Sequence, residues 1–97
     1  MDISLSIKNI KREFEFLQER LSVISLQHDH EGMKIHFHRV EGFLRATKGF
    51  NVIAKGRNGE FEEYFAIIDG VRCFILVDEE EERQLLEGLE NERVTSN

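Results

Sequence analysis

Ile10, Phe14, Leu17, Leu21 and Ile24 recur three or four residues apart. That spacing lines one face of an α-helix. It predicts an amphipathic helix over about residues 8–21, with Lys11, Arg12, Glu15 and Glu19 on its wet side. Ahead of it Ile3, Leu5 and Ile7 alternate with polar residues, which predicts a short strand.

From Ser22 the period shortens to that of strands. A first hairpin turning on Asp29-His30-Glu31-Gly32 sets His28 opposite Met33, Leu26 opposite Ile35 and Ile24 opposite Phe37. On its other face Ser25 meets His36 and Val23 meets His38. Slipping this register by one residue would oppose Leu26 and Ile24 to histidines, so the apolar pairing is expected to win. Residues 41–48 carry no clear period and read as a helical turn or a bulged link.

Asn58-Gly59 and Asp69-Gly70 are strong hairpin signals, because a type I′ turn needs positive φ at both central residues. Pivoting on the first pairs Arg57 with Glu60, Lys55 with Glu62, Ile53 with Tyr64 and Val52 with Phe65. Pivoting on the second pairs Ala66 with Cys73, Phe65 with Phe74 and Tyr64 with Ile75. One strand, about 60–68, serves both hairpins. A C-terminal helix follows over about 79–90, with Asp78 as N-cap, Glu81 completing a capping box, and Leu85, Leu86 and Leu89 as its stripe. Residues 91–97 read as a polar, flexible tail.

The expected fold is therefore α+β in a single domain, residues 1–97: an N-terminal helix, an antiparallel β-meander of about four to five strands, and a C-terminal helix. Both faces of the predicted sheet are apolar. Phe61, Phe65, Phe74 and Leu76 lie on one, with Tyr64, Ala66, Cys73 and Ile75 on the other. An antiparallel sheet with one wet side alternates instead. The two terminal helices can cover one face each, or a second copy of the chain can cover one. The homodimer is the preferred expectation.

Composition narrows the class. With 40% hydrophobic and 33% charged residues the 97-residue chain lies in the globular range. Its start, Met1-Asp2-Ile3-Ser4, lacks a secretory pattern. The longest apolar run, Cys73 to Val77, is far short of the roughly 20 residues a membrane span needs. A single cysteine fits a reducing compartment, so a cytoplasmic location and no membrane partner are expected.

The net charge of −6 is unevenly spread. Residues 39–57 hold Arg39, Arg45, Lys48, Lys55 and Arg57 against Glu41, whereas residues 58–97 hold three basic and twelve acidic groups. The acidic total argues against direct nucleic-acid binding, which needs concentrated positive charge. The basic segment (Arg39, Arg45, Lys48) and the acidic run (Glu79, Glu80, Glu82) are candidate surfaces for a protein partner. The acidic half also allows an inhibitor that mimics nucleic acid toward a basic target. Much of the run is explained locally, since carboxylates in a first helical turn face the positive end of the helix dipole.

The candidate chemistry is sparse. His28, His30, His36 and His38 fall within eleven positions and suggest zinc or nickel. His36 and His38 would share a strand face, while His28 points to the other face and His30 sits at the turn tip. Four ligands therefore do not converge in one chain. Two from each of two subunits could, with Asp29 or Glu31 added, so a resident cofactor is not the leading expectation. Protonating the four histidines also offers a pH sensor. Gly56-Arg57-Asn58-Gly59 has the Gly-x-x-Gly spacing of the backbone-clamping loop in KH domains, which joins two helices. The hairpin explains more of the same residues. Cys73 reads as a small core residue, and no nucleophile, carboxylate pair or phosphate loop stands out. The expected function is a non-catalytic protein-binding or regulatory domain acting as a homodimer, with the acidic inhibitor and the metal-binding domain as alternatives.

Overall fold

A computed structural model describes residues 3–95. The element order is α1 (Ile3–Leu21), β1 (Val23–Asp29), β2 (Gly32–Phe37), α2 (Val40–Ala46), β3 (Ile53–Asn58), β4 (Phe61–Ile68), β5 (Val71–Val77) and α3 (Glu79–Thr95). The chain is α+β, with an N-terminal helix, a five-stranded, mostly antiparallel sheet and a C-terminal helix. The strands lie in the order β1-β2-β5-β4-β3. The run β3-β4-β5 is a meander. The β1-β2 hairpin joins it through a parallel contact between β2 and β5, which a simple meander does not contain.

The strand expected at Ile3, Leu5 and Ile7 is instead the first turns of α1. A three-residue alternation has no neighbour to pair with here, whereas Ile3 and Ile7 extend the helical stripe of Ile10, Phe14, Leu17 and Leu21 without a break in spacing. At the other end α3 carries on to Thr95, so the tail expected from residue 91 is helical that far; residues 96–97 lie outside the described part.

The first hairpin has the expected pairs Ser25 with His36, Leu26 with Ile35 and His28 with Met33. A bulge at Ile24 then moves Val23 opposite Phe37, not His38. The extra residue turns Val23 into the core and leaves Ile24 exposed. The second hairpin departs further. Its turn closes with Asn58 opposite Phe61, pairing Arg57 with Glu62, and a bulge between Ala54 and Gly56 sets Ala54 opposite Tyr64 and Ile53 opposite Phe65. Gly56 has φ 130, a conformation that suits a residue without Cβ. The net slip of one residue moves Ile53 to the face of Phe65, opposite to expectation. The third hairpin matches throughout, with Asp69 and Gly70 both at positive φ.

The core lies on one side of the sheet. Tyr64, Cys73, Ile75 and Val77 pack there against Val40 and Phe43 of α2 and Leu85 of α3, with Phe14, Leu17 and Leu21 of α1 alongside. Phe37 meets Phe43 edge-on at 5.6 Å. All three helices cover this one face, so the division of helices between two faces does not occur. Gly42 lets α2 approach the end of α1: a Cβ there would run into the Leu21 carbonyl and the Ser22 hydroxyl. Ser22 ties the junction further, accepting from the Arg39 N–H through its hydroxyl at 3.2 Å and from the His38 N–H through its carbonyl at 2.8 Å.

Candidate functional site

With the helices on one side, the opposite face of the sheet is left open. Its middle row crosses all five strands: Ser25 on β1, His36 on β2, Phe74 on β5, Phe65 on β4 and Ile53 on β3. Ile67, Phe61 and Leu76 flank that row and are exposed. Strand spacing and rise make the face roughly 20 Å on each side.

The face is not uniformly greasy. Arg72 bends over it, its guanidinium carbon 3.8 Å from the centre of the Phe65 ring, and donates to Glu63 Oε2 at 2.8 Å. Lys55 Nζ stands 3.9 Å from the other oxygen of Glu63. The flat guanidinium finds the negative face of the ring and a carboxylate together, an arrangement a lysine could not reproduce. His36 stacks on Phe74 with centroids 4.6 Å apart. Burial there lowers its pKa below the ordinary 6.5, against the pull of Glu63 and with a small push from His38. At one corner Lys34 holds Glu31 at 3.0 Å and Asp29 at 3.3 Å.

The histidines are dispersed. His36 lies on the open face, His28 pairs with Met33 on the helix-bearing side, His30 sits at the exposed turn, and His38 falls just beyond the end of β2 rather than on it. The expected pair two apart on one strand is thus reduced to His36, because the strand stops at Phe37. Among the described residues no three His, Cys, Asp or Glu side chains gather as a metal ion requires. Cys73 is buried, and that burial raises its thiol pKa.

The two charged segments are brought partly together. Arg57 reaches Glu82 at 3.3 Å and Glu62 at 3.9 Å, and Glu82 accepts the Tyr64 hydroxyl at 2.8 Å. The desolvated Tyr64, with Glu82 beside it, is pushed up to about 12. Asp78 and Glu81 form the reciprocal capping box, at 2.9 and 3.1 Å. Glu80 pairs with Arg83 one turn on, while Glu79 is exposed. Arg45 donates to the Arg20 carbonyl at the end of α1, Arg39 is the N-cap residue of α2, and Lys48 is exposed on the following loop. Gly56 and Gly59 belong to the β3–β4 hairpin and are not flanked by two helices, which removes the KH-like arrangement.

Sequence spacing grouped Phe61, Phe65, Phe74 and Leu76 but did not single out Arg72 and Glu63. The signal was present, since both interrupt otherwise apolar strands on the Phe65 face. His36 could not be joined to Phe74, because that contact depends on the parallel β2–β5 pairing. No protein-family model, curated protein or solved structure matches the chain. No helix among the described residues is long and apolar enough to cross a membrane.

Proposed function

We propose that this chain is a non-catalytic protein-binding domain that acts as a homodimer, with the open sheet face receiving an apolar segment of a partner protein. The observation that supports this reading is the one-sided placement of the helices. It leaves Phe65, Phe74, Ile53 and Ile67 on a face with no covering element among the described residues. Burying such a face is the strongest driving force this surface offers, at about 25 cal/mol per Å² of apolar area. The Arg72–Glu63 pair sets a polar point within it. A partner that supplies hydrogen-bonding groups at that point fits better than a second copy stacked face to face, which would desolvate two such pairs with little return.

The acidic-inhibitor reading draws less support from the fold, since Glu81, Glu82, Glu62 and Glu63 already serve a cap, a tyrosine and three basic side chains. The test is capture from a native extract by the wild-type chain and by the double variant Ile53→Lys, Ile67→Lys, with and without nuclease and chelator. A protein captured in every condition by the wild type and lost with the double variant is expected. Capture that survives the double variant, or that disappears with nuclease or chelator, overturns the reading.

A further inference from the structure

At the β3 edge of the open face lies a cavity of about 350 Å³, lined by Lys55, Gly56, Arg57, Phe61, Glu63 and Leu76. Lys55 is the residue inserted at the β3 bulge, between Ala54 opposite Tyr64 and Gly56 opposite Glu63. Bulges re-aim a side chain. This one brings the Lys55 ammonium beside Glu63. Gly56 adds no side chain, while Phe61 and Leu76 supply apolar walls that are 44% and 38% exposed.

The charges in the cavity are left unbalanced. Two cations share Glu63: Arg72 holds one oxygen at 2.8 Å, and Lys55 stands 3.9 Å from the other. The first distance is a hydrogen bond and the second is not. The Glu63 side chain is accordingly 18% exposed, whereas that of Lys55 is 62% exposed. Arg57 is drawn to Glu82 at 3.3 Å and Glu62 at 3.9 Å. Lys55 is therefore the cation here with donors to give.

We propose that this cavity receives an acidic side chain, glutamate or aspartate, carried by the apolar partner segment that covers the open face. Its carboxylate accepts from Lys55 Nζ, and its neighbouring apolar atoms lie on Phe61 and Leu76. The inference rests on the open-face part of the reading above and adds what the segment must carry.

The alternatives fail on charge. An apolar segment laid over this face removes water from Lys55, and a desolvated ammonium without a counter-charge is costly. A neutral side chain leaves that cost in place. A basic one would meet Lys55 and Arg72 together. A phosphate would press close to two negative charges against Glu63 and the apolar walls. A single carboxylate on an aliphatic stem closes to about 2.7–2.9 Å on the ammonium and leaves its stem for the walls.

Backbone amide NMR tests the site with naphthoate, an apolar body bearing one carboxylate, against uncharged naphthylmethanol. Each is titrated into wild type and Lys55→Met. In the wild type, naphthoate is expected to shift the Gly56, Glu63 and Leu76 amides and to bind several-fold more tightly than the alcohol. In Lys55→Met, which keeps an apolar stem without the charge, the two probes are expected to bind alike. Amide positions away from β3 check the fold of the variant, and Lys55→Gln repeats the comparison if that fold is lost. Equal binding of both probes to the wild type overturns the acidic contact while the open face stands. So does a preference for naphthoate that survives without Lys55, or one that leaves those three amides unmoved. No shift on the open face from either probe overturns the contact and the face together.

Discussion

His36 lies flat against Phe74, ring centroids 4.6 Å apart and planes within 12° of parallel. The contact joins the β1-β2 hairpin to the β3-β4-β5 meander across the parallel seam, and the imidazole is buried there enough to lower its pKa below 6.5. The unfolded chain then binds a proton at this site more readily than the folded one. Stability contributed here is present above pH 6.5 and is lost as pH falls from that value through the folded pKa. Melting followed between pH 7.5 and 5.5 is expected to show this loss in the wild type and a smaller one in His36→Phe. Asp29, held below its ordinary value of 3.8 chiefly by the Glu31 N–H, titrates lower and does not overlap this window. Equal losses in the two proteins would falsify the assignment.

Tyr64 is the chain's sole tyrosine, and there is no tryptophan, so its ionisation can be read directly by ultraviolet absorbance. The folded phenol is expected to titrate near 12 rather than at its ordinary 10.0. Because the folded pKa is raised, the contribution to stability is full below pH 10 and fades as pH rises toward 12. Tyr64→Phe removes the hydrogen bond to Glu82 and is expected to cost about 1 kcal/mol. For a domain of this size that lowers the melting temperature by about 4–8 °C.

Two helical glycines are expected to respond oppositely to alanine. Helix propensity favours alanine at either position by about 1 kcal/mol. At Gly42 the new methyl meets the backbone of Leu21, which cannot yield, so Gly42→Ala is expected to destabilise by about 1–3 kcal/mol or more. At Gly88 it meets the flexible end of Leu44, so Gly88→Ala is expected to be near neutral or stabilising. Urea unfolding of both variants checks the contrast, and similar midpoints would count against the close α1–α2 approach.

The capping box at the start of α3 gives a local test. Asp78→Ala removes the acceptor for the Glu81 N–H and is expected to cost about 1 kcal/mol. Asp78→Asn or Asp78→Ser, which keep a capping oxygen, should retain most of that stability by the same urea assay. An equal loss in all three variants would show that the carboxylate's charge, not the cap, matters.

Local chemistry was legible in the chain. The helical stripe from Ile10 to Leu21, the Asp69-Gly70 turn with every pair of its hairpin, and the Asp78–Glu81 cap each depend on residues close in sequence, so spacing and turn preference define them. The two apolar sheet faces were legible for β4 and β5 for the same reason. Bulges at Ile24 and beside Gly56 were not, because an inserted residue leaves the composition of a strand unchanged while reversing which side its residues face. Ile3 to Ile7 misled, since Ile3, Leu5 and Ile7 satisfy a strand locally, while Ile3 and Ile7 alone continue the helical stripe of the longer run. The tertiary structure decided the parallel joining of β2 to β5 and the gathering of all three helices on one side. Those outcomes come from packing Val40, Phe43 and Leu85 against one sheet face, a competition among distant surfaces that no local pattern records. The open row from Ser25 to Ile53 is the consequence.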